Sequence, residues 1–343
     1  MGESGMLVVH DEAVFKHAPE VEMHRGQTLS PFESPARVES IVNELRKGSF
    51  TFREPEAFDL SVLERVHAAD YVEFLKTVYD QWTDLGADGA MVPHVWPSRM
   101  MTAEVPDSIF GRLGYYSFDA GTTIAAGTWE TIVASAGCAM TAATEAWQAG
   151  APVFSLCRPP GHHAERAAFG GYCFFNTAAL AVEQFLHLGA NRVAVLDVDY
   201  HHGNGTQSIF YERGDVLTIS LHADPKIAYP YFCGYEHETG TGEGLGTNRN
   251  ICLPDGTAWD QFEAAIGSAL QTINDFGPDA IVVPFGADTF CEDPISTFGL
   301  TTDDFTKLGS AISQIGLPTA IVMEGGYAID ALGRNVGAFL ADW

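Results

Sequence analysis

RVAVLDVDYHHGNG (Arg192–Gly205) runs an apolar stretch into two aspartates and two histidines, then switches to glycine and asparagine. A nearly continuous apolar run bounded by turn residues is the pattern of a strand buried on both faces of a parallel sheet. Three more segments share it: VLTISLH (216–222), AIVVPFGAD (280–288) and TAIVMEGGY (319–327). Helical patterns precede three of the four runs: TAALAVEQFLHLGA the first, DQFEAAIGSALQTINDFG the third and DDFTKLGSAISQIG the fourth. Each closes at the glycine favoured at a helix C-terminus. The alternation predicts an α/β chain with a doubly wound, mostly parallel central sheet flanked by helices.

Upstream, SPARVESIVNELRKG (34–48) and AADYVEFLKTVYDQW (68–82) read as amphipathic helices, the first with a Ser-Pro start. From Asp84 to Thr128 no clear periodicity is visible. A loop that long inside a compact unit is usually functional or disordered, and its two tyrosines, two phenylalanines and one tryptophan argue against disorder. The reading is therefore one domain over residues 1–343 with a long inserted loop near residues 84–128, and no internal repeat.

Acidic residues number 45 against 18 Lys and Arg, a net charge of −27, so nucleic acid and anionic membrane are not expected as partners. An acidic solubility coat, a salt-adapted surface with only five lysines, and steering of a cationic substrate all fit this excess. The six cysteines are scattered without a C-x-x-C pair, and no leader or membrane-length apolar run is seen, which predicts a cytoplasmic protein. MGESGM lacks the Ser or Thr of a myristoylation signal at position 6, and Met6 is an alternative start.

Side chains alternate faces along a strand, so Asp197, Asp199 and His201 share one side, and His202 points away, if the extended conformation runs that far. One strand-end aspartate is ordinarily a loop cap, but a cap does not account for the whole D-x-D-x-H-H-G cluster. Buried carboxylates are costly unless paired or bound to a cation. Ligands collect at the carboxyl ends of parallel strands, which adds Asp288 and Tyr327 to the group. In LCRPPGHHAE, Pro159, Pro160 and Gly161 set a turn just before His162 and His163. A paired histidine in a loop is often merely packed or solvated; held by a stiff turn, it also suits general acid–base work near neutral pH. Two carboxylates, an imidazole and an open position fit a catalytic divalent metal, zinc foremost, and hence hydrolysis.

In this order, RPPGHHA, GGYCFFN, DVDYHHGNG, FGAD and EGGY resemble the zinc-dependent histone deacetylase superfamily, which has the arginase-like fold; the likeness spans about Arg37 to Tyr327. It implies Asp199, His201 and Asp288 as ligands of one catalytic Zn²⁺, with Fe²⁺ or Co²⁺ as substitutes. His163 would be general base and then acid, His162 its electrostatic partner, and Tyr327 the polariser of the amide carbonyl. Asp197 would orient His162 and bind a structural K⁺ with Ser220 and the backbone carbonyls of Asp199, His201 and Leu221. Gly171, Tyr172 and Tyr229 match positions lining the substrate tunnel, and Glu22 matches the amine contact. GRLGYYSFDAGTTIAAGTWE is similar to the bacterial acetylpolyamine amidohydrolases, where an inserted loop narrows the cleft and helps form a homodimer. The implied reaction is deacetylation of acetylated polyamines or diamines such as acetylputrescine and acetylcadaverine.

Three positions depart from the pattern. Asn204 stands where some deacetylases have an aspartate beside the second histidine, Thr177 replaces a frequent asparagine, and Phe110 occupies the place of an acidic amine reader in relatives. Glu22, Glu104, Asp107 and Asp119 are the alternative readers, each also readable as a solvated surface charge. Acetyl-lysine in proteins is the nearest rival substrate. An arginase-like two-metal site would need a second aspartate where Phe290 stands, and a non-catalytic acyl-ligand binder would be expected to have lost a metal ligand or the tyrosine.

Overall fold

The computed structural model describes residues 5–343; the start MGES, on which the alternative-start and myristoylation readings turn, lies outside the described residues. Ten strands follow in chain order: β1 (Leu7–Val9), β2 (Glu22–His24), β3 (Gln27–Leu29), β4 (Thr51–Arg53), β5 (Pro152–Ser155), β6 (Val193–Asp197), β7 (Val216–Ala223), β8 (Asn248–Leu253), β9 (Ala280–Phe285) and β10 (Thr319–Met323). Eight of them form one sheet in the order β4-β1-β5-β10-β9-β6-β7-β8, and β2 and β3 form a separate hairpin. Every pairing in the large sheet is parallel.

Both faces of this sheet are covered, which is why its strands read as apolar runs rather than alternating ones. Val8, Phe154, Leu196, Ile219, Val283 and Ile321 point to one face, against α1 (Ala36–Leu45), α7 (Trp259–Phe276), α8 (Thr302–Ser313) and α9 (Ile329–Phe339). Val9, Val153, Val195, Val282 and Val322 point to the other, against α2 (Ala69–Asp84), α4 (Thr128–Ala149) and α5 (Thr177–His187). The period of two puts successive residues of each strand into opposite cores.

The helix α4 escaped the pattern reading because it is buried nearly all round, with Ala, Cys, Gly and Thr on most sides, so no apolar stripe stands out. The strands β1 and β5, of three and four residues, are too short for a run to be legible. The segment 84–128 holds more order than its composition suggests. It contains the short helix α3 (Ile109–Tyr115), and Met91 and Ile124 exchange two backbone hydrogen bonds of 2.7 and 3.1 Å that close it into a loop. Its buried Tyr116 packs on Phe74 of α2 at 4.7 Å between centroids. No described helix is long and apolar enough to cross a membrane.

The N-terminal arm is fastened to the sheet by a buried charge cluster. Arg158, fully buried after β5, donates to both oxygens of Glu33 at 2.7 and 3.0 Å and to the carbonyls of Val14 and His17. Glu33 also accepts from Arg37 at 3.2 Å. Burial alone would raise the Glu33 pKa, but the two guanidinium groups outweigh it and hold the carboxylate charged. Replacing Arg158 by Met leaves that carboxylate with one partner in a dry site, and a stability loss of about 3–5 kcal/mol is expected in urea unfolding. A midpoint equal to that of the parent would contradict the tethering role.

Candidate active site

The site lies at the carboxyl ends of β5, β10, β9 and β6, four consecutive neighbours in the middle of the sheet. Strand β6 ends at Asp197, so alternation along an extended chain does not place Asp199 and His201, contrary to the sequence expectation. The turn after the strand does so instead. Asp199 N–H donates to Asp197 Oδ1 at 3.1 Å, His201 N–H to Asp199 Oδ1 at 2.8 Å, and Tyr200 N–H to Asp288 Oδ1 at 3.0 Å. Backbone donors thus aim each carboxylate. His202, as expected, turns away, reaching Gln207 at 3.1 Å and packing on His222.

Asp199, His201 and Asp288 bring one ligand atom each to within 4.8 Å of one another, and among the described residues they are the group that could hold a metal ion. His201 Nδ1 lies 3.0 Å from Asp288 Oδ2 and 3.3 Å from Asp199 Oδ1. Both aspartates are fully buried. Burial and the neighbouring Asp199 charge push the Asp288 pKa up to about 6, whereas His162 and His201 overcome burial at Asp199 and hold its carboxyl well below the usual range. Two buried like charges beside an imidazole nitrogen form a donor set that a divalent cation relieves, and its oxygen and nitrogen atoms suit zinc. Gly286 of FGAD and Gly325 of EGGY close the site from behind. A Cβ on Gly286 would lie 2.0 Å from Asp199 Oδ2, and one on Gly325 would lie 2.4 Å from Asp288 Oδ2.

Beside this triad the two histidines differ in their supports. His162 Nδ1 meets Asp197 Oδ2 at 2.9 Å. Burial opposes its charge, but Asp197, Asp199 and Glu324 outweigh burial and raise its pKa well above the ordinary value. His163 Nδ1 meets Asn204 Oδ1 at 2.7 Å. The Asn204 amide nitrogen donates elsewhere, to His163 O and Glu165 Oε1, so the oxygen faces the ring and Nδ1 carries the proton. Burial, with the positive rings of His162 and His201, holds His163 well below its usual pKa. One imidazole is thereby kept charged and its neighbour, 4.1 Å away between ring centroids, neutral.

Tyr327 closes the far side. Its backbone N–H donates to Asp293 Oδ2 at 2.7 Å, and the turn before it is held by Arg37, which donates to Gly326 O at 2.7 Å and to Glu324 O at 2.5 Å. Glu324 in turn accepts from the N–H groups of Gly161 and His162 at 2.6 and 3.1 Å. Arg37, Asp293 and Glu324 were not identified as functional from the sequence. Only Glu324 carried a signal, a charged residue ending an apolar strand.

A cleft of about 640 Å³ opens onto His163, His201 and Tyr327, with Gly171, Tyr172 and Tyr229 in its walls. The Tyr229 ring stands perpendicular to His163 at 5.0 Å, and Tyr172 meets Tyr327 edge-on at 5.7 Å. Gly171 has φ +56°, and a Cβ there would lie 2.2 Å from the His163 ring, so the position admits only glycine. Asp119 ties the two walls together, accepting from Gly171 N–H at 2.6 Å and from the Tyr229 hydroxyl at 2.8 Å. Glu22 sits behind Tyr172, outside the cleft lining, where it accepts from the Tyr172 hydroxyl at 3.2 Å and from Phe32 N–H at 3.1 Å. Burial pushes its pKa up to about 7. Phe110 packs on Trp82, and neither it nor Glu104 or Asp107 lines the cleft. Ser220 pairs with Asp197 across β7 and β6, its hydroxyl 2.8 Å from His222 Nδ1, with the buried Leu221 next in line. Thr177 opens α5, whose cap Asn176 donates to the carbonyls of His162 and Ala164.

Residues 31–343 match the histone deacetylase domain family. The chain is 46% identical over 331 residues to acetylpolyamine amidohydrolase 2 of Pseudomonas aeruginosa, covering 96% of each chain. It is 43% identical to the acetylpolyamine amidohydrolase of Mycoplana ramosa, covering 98% of each. The crystal structure of acetylpolyamine aminohydrolase from Burkholderia pseudomallei superposes with a TM-score of 0.93 at 36% identity, over 98% of both chains. The crowding behind the carboxylates makes a direct test: Gly325→Ala is expected to keep the parent circular dichroism spectrum while divalent-metal content, measured by mass spectrometry, falls several-fold. Full metal content in that variant would remove the cradle argument.

Proposed function

The chain belongs to the histone deacetylase family, and on that premise we propose that it hydrolyses N-acetylated polyamines or diamines, such as acetylputrescine and acetylcadaverine, to free amine and acetate. The observation that carries this reading is the cleft walled by Tyr172 and Tyr229, which leads onto His163, Tyr327 and the Asp199–His201–Asp288 triad. Aromatic rings in the wall of a cleft pack against a methylene chain and favour a nearby ammonium.

Asp199, His201 and Asp288 are proposed to hold Zn²⁺, with Fe²⁺ or Co²⁺ as substitutes. When bound, such an ion polarises the amide carbonyl and makes water acidic near neutral pH. His163 is the base: with Nδ1–H committed to Asn204, Nε2 is left to take the water's proton and later deliver it to the departing nitrogen. His162, held charged against Asp197, stays protonated through the cycle and steadies the developing negative charge. Burial raises the Tyr327 pKa well above the ordinary value, so its hydroxyl stays a donor to the oxyanion. Asn204, lacking the charge of an aspartate, leaves His163 a weaker base than in relatives with an acid at that place.

Asp197, Ser220 and the carbonyls of Asp199, His201 and Leu221 are proposed to bind K⁺ beside the catalytic ion. We also assign Glu22 to the amine end, through its grip on Tyr172, and propose a cytoplasmic homodimer formed through the loop at 84–128, with residues 1–343 acting as one deacetylase domain.

A turnover panel of acetylputrescine, acetylcadaverine and an acetyl-lysine peptide tests the substrate assignment. The acetylated diamines are expected to dominate; equal cleavage of the peptide would shift the reading to protein deacetylation. In the same assay Tyr327→Phe is expected to lower kcat by about 10²–10³, with metal content unchanged. An unaltered kcat would refute the oxyanion role.

A further inference from the structure

The carboxylates around the cleft are not equally available to a ligand. Asp119 receives three hydrogen bonds, from Thr122 N–H at 2.9 Å as well as from Gly171 and Tyr229. Glu22 is buried behind Tyr172 and has a partner on each oxygen. Asp255, in the turn after β8, lines the same cleft, is exposed, and makes no side-chain hydrogen bond or ion pair among the described residues. Of these three it alone has both oxygens open to donors.

Its surroundings suit a cation. Tyr200, Tyr231 and Thr297 line the same cleft, with the Tyr200 hydroxyl 3.0 Å from Thr297 Oγ1. The aromatic lining is continuous with the metal triad: Tyr200 meets His201 edge-on at 4.9 Å, and Tyr231 meets Tyr229 at 6.4 Å. Arg25, exposed and without an ion pair among the described residues, lies in the cleft wall formed by the β2–β3 hairpin with Met23 and His24. The cleft thus carries in its lining an open anion, several aromatic rings and, at the hairpin, an unpaired cation.

We propose that Asp255, with the rings of Tyr231 and Tyr200, forms a cation subsite in the outer cleft that takes the ammonium group of an acetylated polyamine farther from the acetyl end. This rests on reading the cleft as a polyamine deacetylase site. A methylene chain entering between Tyr172 and Tyr229 carries its distal ammonium outward to Asp255, where a charge-assisted hydrogen bond and the aromatic faces both act on it. Arg25 repels a tail directed toward the hairpin and so biases its course.

Two measurements on Asp255→Asn and Asp255→Ala decide the matter. In steady state, KM for an acetylated linear triamine, taken relative to that for uncharged N-butylacetamide, is expected to rise about tenfold, with kcat for the triamine unchanged. In calorimetry, the unacetylated triamine is expected to bind about tenfold more weakly to both variants than to the parent protein, and the difference should shrink with added salt. A relative KM and a Kd within about twofold of the parent would overturn the subsite. If the parent protein turns over neither substrate, the deacetylase reading fails, while the calorimetric comparison still decides whether Asp255 binds the cation.

Discussion

Two carboxylates buried side by side, Asp199 and Asp288 at the ends of neighbouring strands, are the constraint around which the rest is arranged. Neither is tolerable in a dry interior without compensation. Backbone N–H groups of Tyr200, His201 and Gly325 each donate to one of them, and His201 supplies an imidazole between them. Such donors orient carboxylates but do not neutralise them. The remaining charge is what a divalent cation at the proposed site would relieve, and the glycines at 286 and 325 allow the carboxylates to come together without collision.

A second layer keeps the reactive groups in register. Glu324 holds the turn that presents His162, while its own carbonyl and that of Gly326 are gripped by Arg37. Arg37 shares Glu33 with Arg158, so the N-terminal arm, the turn after β5 and the turn after β10 form one buried polar unit. Asp293 completes it at the Tyr327 N–H. Through this unit, residues near the start of the chain bear on the geometry of a tyrosine near its end, and Asp119 ties together the two walls of the cleft.

Much of this is legible in the sequence. Strands buried on both faces leave apolar runs, and β6, β7, β9 and β10 were readable for that reason, as were the polar residues at three of their ends. The helix α4 and the short strands β1 and β5 were not, because all-round burial erases periodicity and three or four residues are too few to show it. Asp199 and His201 owe their placement to local hydrogen bonds in a turn, which strand alternation in the sequence does not reveal. Arg37, Asp293 and Asp255 could not be singled out, since their importance lies in partners, or in the lack of them, distant in sequence.

The central claim is that one divalent ion at Asp199, His201 and Asp288 makes the chain an amide hydrolase. It is tested most directly by titrating Zn²⁺ or Co²⁺ into chelator-stripped protein while following acetylputrescine turnover. Activity is expected to be absent at the start and to rise in proportion to bound ion, reaching its plateau at one catalytic ion per chain. Full turnover by the stripped protein, or a plateau reached only at two catalytic ions, would contradict it.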